Sequence, residues 1–169
     1  MSKLIRLCVV TTCLCAFAIG CSPPDACQSV ECNGHGECAE GDCVCDIGYE
    51  GIDCLTLINA KFDGTYSNVE ECDSAVDSSY TVTISPTPNS LTQIGFTGLF
   101  GRSSTTVFGS LDQSGLNFAI ERQGLGSSGL EIEGEGLGNS SGEQVSIVYW
   151  IYPVGGSTAI DSCRALMQR

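Results

Sequence analysis

The chain has 169 residues with ordinary apolar content, but it carries 21 glycines, 12 cysteines and a formal net charge of −13. Such an acidic surface repels phosphate backbones and has no polybasic grip on anionic lipid, which argues against nucleic-acid binding and against electrostatic membrane association. Cysteine is dense up to Cys54 and sparse beyond it, so the expected layout is a small stapled module followed by a domain with its own core.

The first six residues, Met1 to Arg6, form a short basic segment containing Lys3 and Arg6. Leu7 to Gly20 is an uncharged, mostly apolar run of 14 residues, too short to span a bilayer comfortably and suited to the core of a signal peptide. It ends in Ala18-Ile19-Gly20-Cys21. This resembles the lipobox of bacterial lipoproteins, although Ala18 stands where that family usually has Leu. An ordinary signal peptide that contains a cysteine is the competing reading. The resemblance implies that residues 1–20 are removed, that Cys21 takes a diacylglyceryl group on its thiol, and that residues 21–26 are a lipidated tether. Ser22, following the anchor, implies sorting to the outer membrane, possible exposure at the cell surface included. Nine cysteines lie from Cys21 onward, an odd number that leaves one without a partner in an oxidising compartment; acylation of Cys21 leaves eight to pair. After cleavage Lys61, Arg102, Arg122, Arg164 and Arg169 face 20 carboxylates, a net charge of −15.

Residues 27–54 read Cys27-x4-Cys32-x5-Cys38-x4-Cys43-x-Cys45-x8-Cys54. Six cysteines alone permit about 15 pairings. The spacing, the Asn33-Gly34-His35-Gly36-Glu37-Cys38 turn and the Gly48-Tyr49-Glu50-Gly51-Ile52-Asp53-Cys54 ending resemble the epidermal growth factor (EGF)-like domain. That resemblance implies the pairs Cys27–Cys38, Cys32–Cys43 and Cys45–Cys54, with Tyr49 packed on the last bridge. A chain of this length buries too little apolar surface to fold without such staples. Zinc is the rival use of clustered cysteines, but there are no paired CxxC knuckles. No defined calcium site is expected, because only Asp25 precedes the first cysteine and the Cys38–Cys43 spacing is short. His35, the only histidine, is expected in a turn.

Leu55 to Lys61 reads as a short connection, and residues 60–169 as the second domain. Its periodicity is two. Tyr80, Val82 and Ile84 alternate with threonines, and Ile94 with Phe96 across Gly95. Leu116, Phe118 and Ile120 follow the same rule, as do Leu130 and Ile132, then Val145, Ile147, Tyr149 and Ile151. Gly-, Pro- and Asp-containing turns separate these runs. Eight strands are predicted near 62–71, 79–85, 91–100, 104–111, 115–122, 129–137, 144–153 and 159–168. Short turns make the sheet antiparallel, and eight strands with one apolar face close most simply into a barrel; a β-sandwich is the alternative. A Cys72–Cys163 bridge would place the first strand beside the last. The frame from Phe62-Asp-Gly-Thr-Tyr66 to Asp161-Ser-Cys163 weakly resembles the lipocalin-like C-terminal domain of some bacterial surface lipoproteins.

The expected class is therefore all-β, and three functions compete. The first is a non-enzymatic surface module contacting a protein or glycan partner, held close to the membrane by a five-residue tether that spans at most about 17 Å. The second is a small-molecule carrier using a barrel cavity, with Gly95, Gly98, Gly109, Gly134 and Gly136 leaving space or merely relieving crowding, and Trp150 and Tyr152 near a mouth. The third is an enzyme. His35 lies in the other module, no nucleotide or zinc-protease fingerprint is present, and Glu131, Glu133 and Glu135 on one strand face read as a solvent row rather than a glycosidase pair. No catalytic residue, metal or cofactor is expected.

Overall fold

The computed structural model describes residues 25–74 and 78–169. The leader, residues 1–20, and the lipidation site Cys21 lie outside the described residues. The regular secondary structure among the described residues is all β apart from two single turns of 3-10 helix, Ala60–Phe62 and Leu99–Gly101.

In the first module β1 (Gly36–Ala39) pairs with β2 (Asp42–Cys45), joined by Glu40-Gly41. Both turn residues have positive φ, 54° and 98°, the mirror-image turn whose twist matches a hairpin. Three disulfides, Cys27–Cys38, Cys32–Cys43 and Cys45–Cys54, hold the module together. β3 (Tyr49–Glu50) pairs with β4 (Thr56–Leu57), so the module's second hairpin runs past Cys54 into the expected connection. His35 stacks on Tyr49, ring centroids 4.0 Å apart and nearly parallel.

The second domain is a closed barrel of eight antiparallel strands: β5 (Gly64–Cys72), β6 (Ser78–Pro86), β7 (Gln93–Thr97), β8 (Thr106–Leu111), β9 (Asn117–Gly124), β10 (Leu130–Gly138), β11 (Gln144–Pro153) and β12 (Asp161–Gln168). Each pairs with the next, and β12 returns to β5 with Cys163 opposite Cys72, where the fourth disulfide lies. Closure leaves no sheet edge and settles the choice between barrel and sandwich. The strands are shorter than predicted where the backbone turns early. β7 ends at Thr97 because Gly98 adopts φ 99° and starts the Leu99–Gly101 turn, and Phe62 belongs to the Ala60–Phe62 turn rather than to β5.

Alternation does what the period-two pattern requires. Val82, Ile84, Ile94, Phe96, Val107, Phe118, Ile120, Ile132, Val145, Ile147, Ile151 and Met167 point inward and are buried. The barrel end carrying the start of β5 and the chain terminus is sealed by Ile58, Phe62 and Tyr66, whose hydroxyl reaches the carbonyls of Phe62 and Gly142. Arg169 donates from Nη1 to the Asp63 carbonyl at 2.6 Å.

The segment joining the modules is a weld rather than a free linker. The Ile58 amide donates to the Gly48 carbonyl at 3.0 Å, while its side chain is buried in the barrel core. Asn59 Nδ2 donates to the carbonyls of Ser90 and Gln93 at 2.8 and 3.3 Å. Lys61 Nζ lies 2.6 Å from Glu50 Oε2, and Gly48 sits against Leu91 with no room for a side chain.

Candidate functional site

Two places follow from the fold: the barrel interior, where a carrier would hold its ligand, and the outer face of the sheet.

The space over the interior glycines of β10 is taken by the two neighbouring strands and by the Ala60–Phe62 turn. A Cβ on Gly136 would lie 2.2 Å from Phe118 Cζ, one on Gly138 2.2 Å from Phe62 Cε1, and one on Gly134 2.7 Å from Tyr149 Cβ. Gly136 and Gly138 make room for rings, and Gly134 for the neighbouring β11 backbone and the Tyr149 Cβ, rather than for a ligand. Gly109 likewise lies beneath Phe96 and Phe118, whose rings are 5.2 Å apart. Gly95 points outward and is covered by Phe108, and Gly98 sits tight against the Thr81 carbonyl. The register of β10 against β9 shifts between Ile132 and Gly134, a bulge of the kind interior glycine permits.

Polar groups enter the interior at one place. On β5 the inward row is Tyr66, Asn68, Glu70 and Cys72. Glu70 Oε2 accepts hydrogen bonds from the hydroxyls of Tyr80 on β6 and Tyr149 on β11. Burial, together with the Glu70 carboxylate, pushes both phenols well above their ordinary range, so both stay protonated. The Phe100 ring meets Tyr149 edge-on, with centroids 6.2 Å apart. Glu70 also lies beside the Cys72–Cys163 disulfide, the three ligand atoms falling within 4.8 Å of one another. Asn68 and Glu70 belong to no sequence motif. Their parity with Tyr66 was the available signal: two polar residues on the face that the alternation turns inward.

The outer face tells a different story. Glu131, Glu133 and Glu135 lie on it, as the alternation requires, with Arg122 Nε bonding Glu131 Oε2 at 2.7 Å. Trp150 and Tyr152 also face outward, Tyr152 beneath the Arg122 guanidinium at 3.9 Å. Around the sheet, Leu137 on β10, Ser146 on β11, Leu166 on β12 and Val69 on β5 are successive partners in one transverse row. Val69, Leu137 and Leu166 are 54%, 50% and 48% exposed. In the next row Val148 lies between Glu135 and Arg164, and Glu71 follows. Two open grooves of about 510 and 390 Å³ flank the row, meeting at Ser146 and Val148. His35 stays in its module, stacked on Tyr49, and Glu131–Glu135 meet no other carboxylate in these contacts.

The described residues thus define a disulfide-stapled EGF-like module fused to a closed antiparallel β-barrel. Residues 27–56 match the family model of the Teneurin-like EGF domain. No curated protein matches the chain. Among solved structures, the one described as EF1p2_mFAP2b bound to DFHBI is 14% identical, with a TM-score of 0.45, and the match covers 68% of this chain and 99% of that one. The redesigned β barrel mFAP1 bound to DFHBI is 15% identical over 66% of this chain and 99% of its own, with a TM-score of 0.44. Another redesigned barrel, b11L5F_LGL, is 13% identical with a TM-score of 0.43 and covers 66% and 95%.

Proposed function

We propose that this chain is an exported, lipid-anchored envelope protein of the bacterial lipoprotein type whose barrel is a non-enzymatic interaction module for a protein partner, carried on the EGF-like unit. The observation that carries the interaction reading is the exposed aliphatic row Val69–Leu166–Leu137, with half-buried Val148 beside it, on the outside of a barrel whose interior glycines are covered by neighbouring protein atoms. An aliphatic row bordered by Glu71, Glu135 and Arg164 suits protein side chains better than sugar rings, which favour aromatic platforms. The weld at Ile58–Lys61 supports the carrying role, since a partner pulling on the barrel would load a rigid joint. The anchor rests on the leader pattern ending at Cys21 and on cysteine parity. All eight cysteines from Cys27 onward are paired among themselves, so the bridges claim no thiol from the N-terminal segment. Attachment through Cys21 and sorting by Ser22 give an outer-membrane location, with a short tether holding the EGF-like unit near the bilayer.

Intact mass of membrane-extracted protein tests the anchor: a chain beginning at acylated Cys21 with four disulfides is expected, and an unacylated start elsewhere would refute it. A photo-crosslinker placed at Leu166 in intact cells tests the face. It should give a discrete adduct that the same probe at Thr81, on the outside of β6, does not. Equal labelling from both positions, or none from Leu166, refutes the interaction reading.

A further inference from the structure

Glu70 is the one charged side chain buried among the described residues, and neither ion pair found there includes it. Two phenolic hydroxyls donate to it, which offsets only part of the cost of holding an ionised carboxylate away from water without an opposite charge. Two residues earlier on the same inward row, Asn68 is fully buried, and both its Oδ1 and Nδ2 lack any partner. It sits between Tyr80 of β6 and Met167 of β12. Buried amides in native proteins are almost always paired, so an idle one beside an uncompensated carboxylate points to a missing third party.

We propose that Glu70 and Asn68 form an interior site for a small monovalent cation, supplied either as an alkali metal ion or as the ammonium head of a small amine. The Glu70 carboxylate and the two phenol oxygens bonded to it are hard oxygen ligands, and Asn68 Oδ1, unpartnered two residues away on the same inward row, is a fourth candidate. Its charge is that of one carboxylate, because Tyr80 and Tyr149 stay protonated. A single positive charge balances it, whereas a divalent ion would leave excess charge in a low-dielectric interior. Cys72 and Cys163 are close, but their sulfurs are joined in the disulfide and give no thiolate for a soft metal. Asn68 Nδ2 needs an acceptor, met by a water entering with the cation.

The Leu99–Gly101 turn covers this end of the barrel. Leu99 plugs the core and Phe100 rests on Tyr149, between Gly98 and Gly101. Gly98 and Gly101 both hold positive φ, at 99° and 63°, conformations that glycine adopts without a side-chain penalty. The negative net charge of the whole protein raises the local concentration of cations at its surface.

The test is equilibrium unfolding of the disulfide-intact protein at constant ionic strength in NaCl, KCl, methylammonium chloride, CaCl2 and tetramethylammonium chloride, the last too bulky for the site. One fitting cation at a hundred times its Kd should lower the unfolding constant about 100-fold relative to tetramethylammonium. Sodium or potassium activity assigns the site to an alkali ion, and activity of methylammonium alone assigns it to an amine head. Glu70→Gln should remain folded and lose the dependence, while Asn68→Asp, with a second carboxylate, should transfer it to calcium. Identical unfolding in all the salts, or an undiminished cation effect in Glu70→Gln, overturns the proposal. Should Glu70→Gln fail to fold, a cation titration of the wild-type protein followed by tyrosine difference absorbance decides. A saturable change is expected from Tyr80 and Tyr149, and its absence is equally fatal.

Discussion

Gly136→Ala separates a filled barrel from a hollow one. The added Cβ would lie 2.2 Å from Phe118 Cζ, 2.6 Å from Phe118 Cε2 and 2.7 Å from the Ser146 carbonyl oxygen, where ordinary contact begins at 3.4 Å. Alanine in a strand gains about 0.5–1 kcal/mol over glycine from backbone entropy alone. Overpacking a rigid core costs about 1–3 kcal/mol. The ring has little freedom to escape, since Phe118 is wedged against Phe96 and the Gly109 backbone, and the Ser146 oxygen belongs to the ladder itself. The overlap therefore wins, and a net loss of about 1–2 kcal/mol is expected, a drop of roughly 0.5–1 M in urea midpoint at a typical denaturant slope. Phe118→Leu should recover part of it, with a coupling of about 1 kcal/mol in the double-mutant cycle, the remainder reflecting the carbonyl contact that leucine cannot relieve. The assay is urea unfolding of the four proteins with disulfides intact. If Gly136→Ala is as stable as the parent or more stable, Phe118 has room to swing, the interior is not packed, and the preference for an interaction module over a carrier loses its basis.

Three further outcomes follow from other parts of the fold. Ile58→Ala should cost about 2–5 kcal/mol, although residue 58 lies in the apparent linker, because its side chain is in the barrel core; barrel unfolding followed by Trp150 fluorescence measures it. Replacing Cys72 and Cys163 together by serine should cost about 4–5 kcal/mol on the chain-entropy account, given their separation of 91 residues, and a loss under 1 kcal/mol in chemical denaturation would show that ladder pairing alone closes the barrel. Tyr66, Tyr80 and Tyr149 all have folded-state pKa values raised by burial above the unfolded value near 10. The folded state therefore holds protons that the unfolded chain releases, so this contribution is fully present below about pH 10 and is lost as pH rises beyond it. Absorbance at tyrosinate wavelengths should show these three ionising only together with loss of the near-ultraviolet circular dichroism, and their reversible titration in the intact fold would contradict the burial.

Much of the architecture was legible because it is local. Period-two alternation needs only neighbouring residues, and Val145 to Ile151 or Tyr80 to Ile84 carry it without interruption. The EGF-like spacing is likewise contained within residues 27–54. The same parity placed Glu131, Glu133 and Glu135 on the outer face. It also placed Asn68 and Glu70 inside, a placement passed over because polar residues on a strand are ordinarily read as solvent-facing. The Ile58–Asn59 weld had no such signal. One of several apolar residues and an asparagine in a seven-residue connection acquire meaning only through Gly48, Ser90 and Gln93.

By itself the sequence determined which residues alternate, where the chain turns and which cysteines are close enough along the chain to staple a small module. These depend on backbone sterics and short loops, and they are set before distant segments meet. Tertiary structure alone decided that Phe118 of β9, the Tyr149 backbone and Cβ on β11 and Phe62 fill the space over the β10 glycines, and that one carboxylate and one amide are shut inside without an opposite charge or a partner. Those facts belong to pairs of residues many positions apart. Their energies come from packing and desolvation, which take their values only when the barrel is closed.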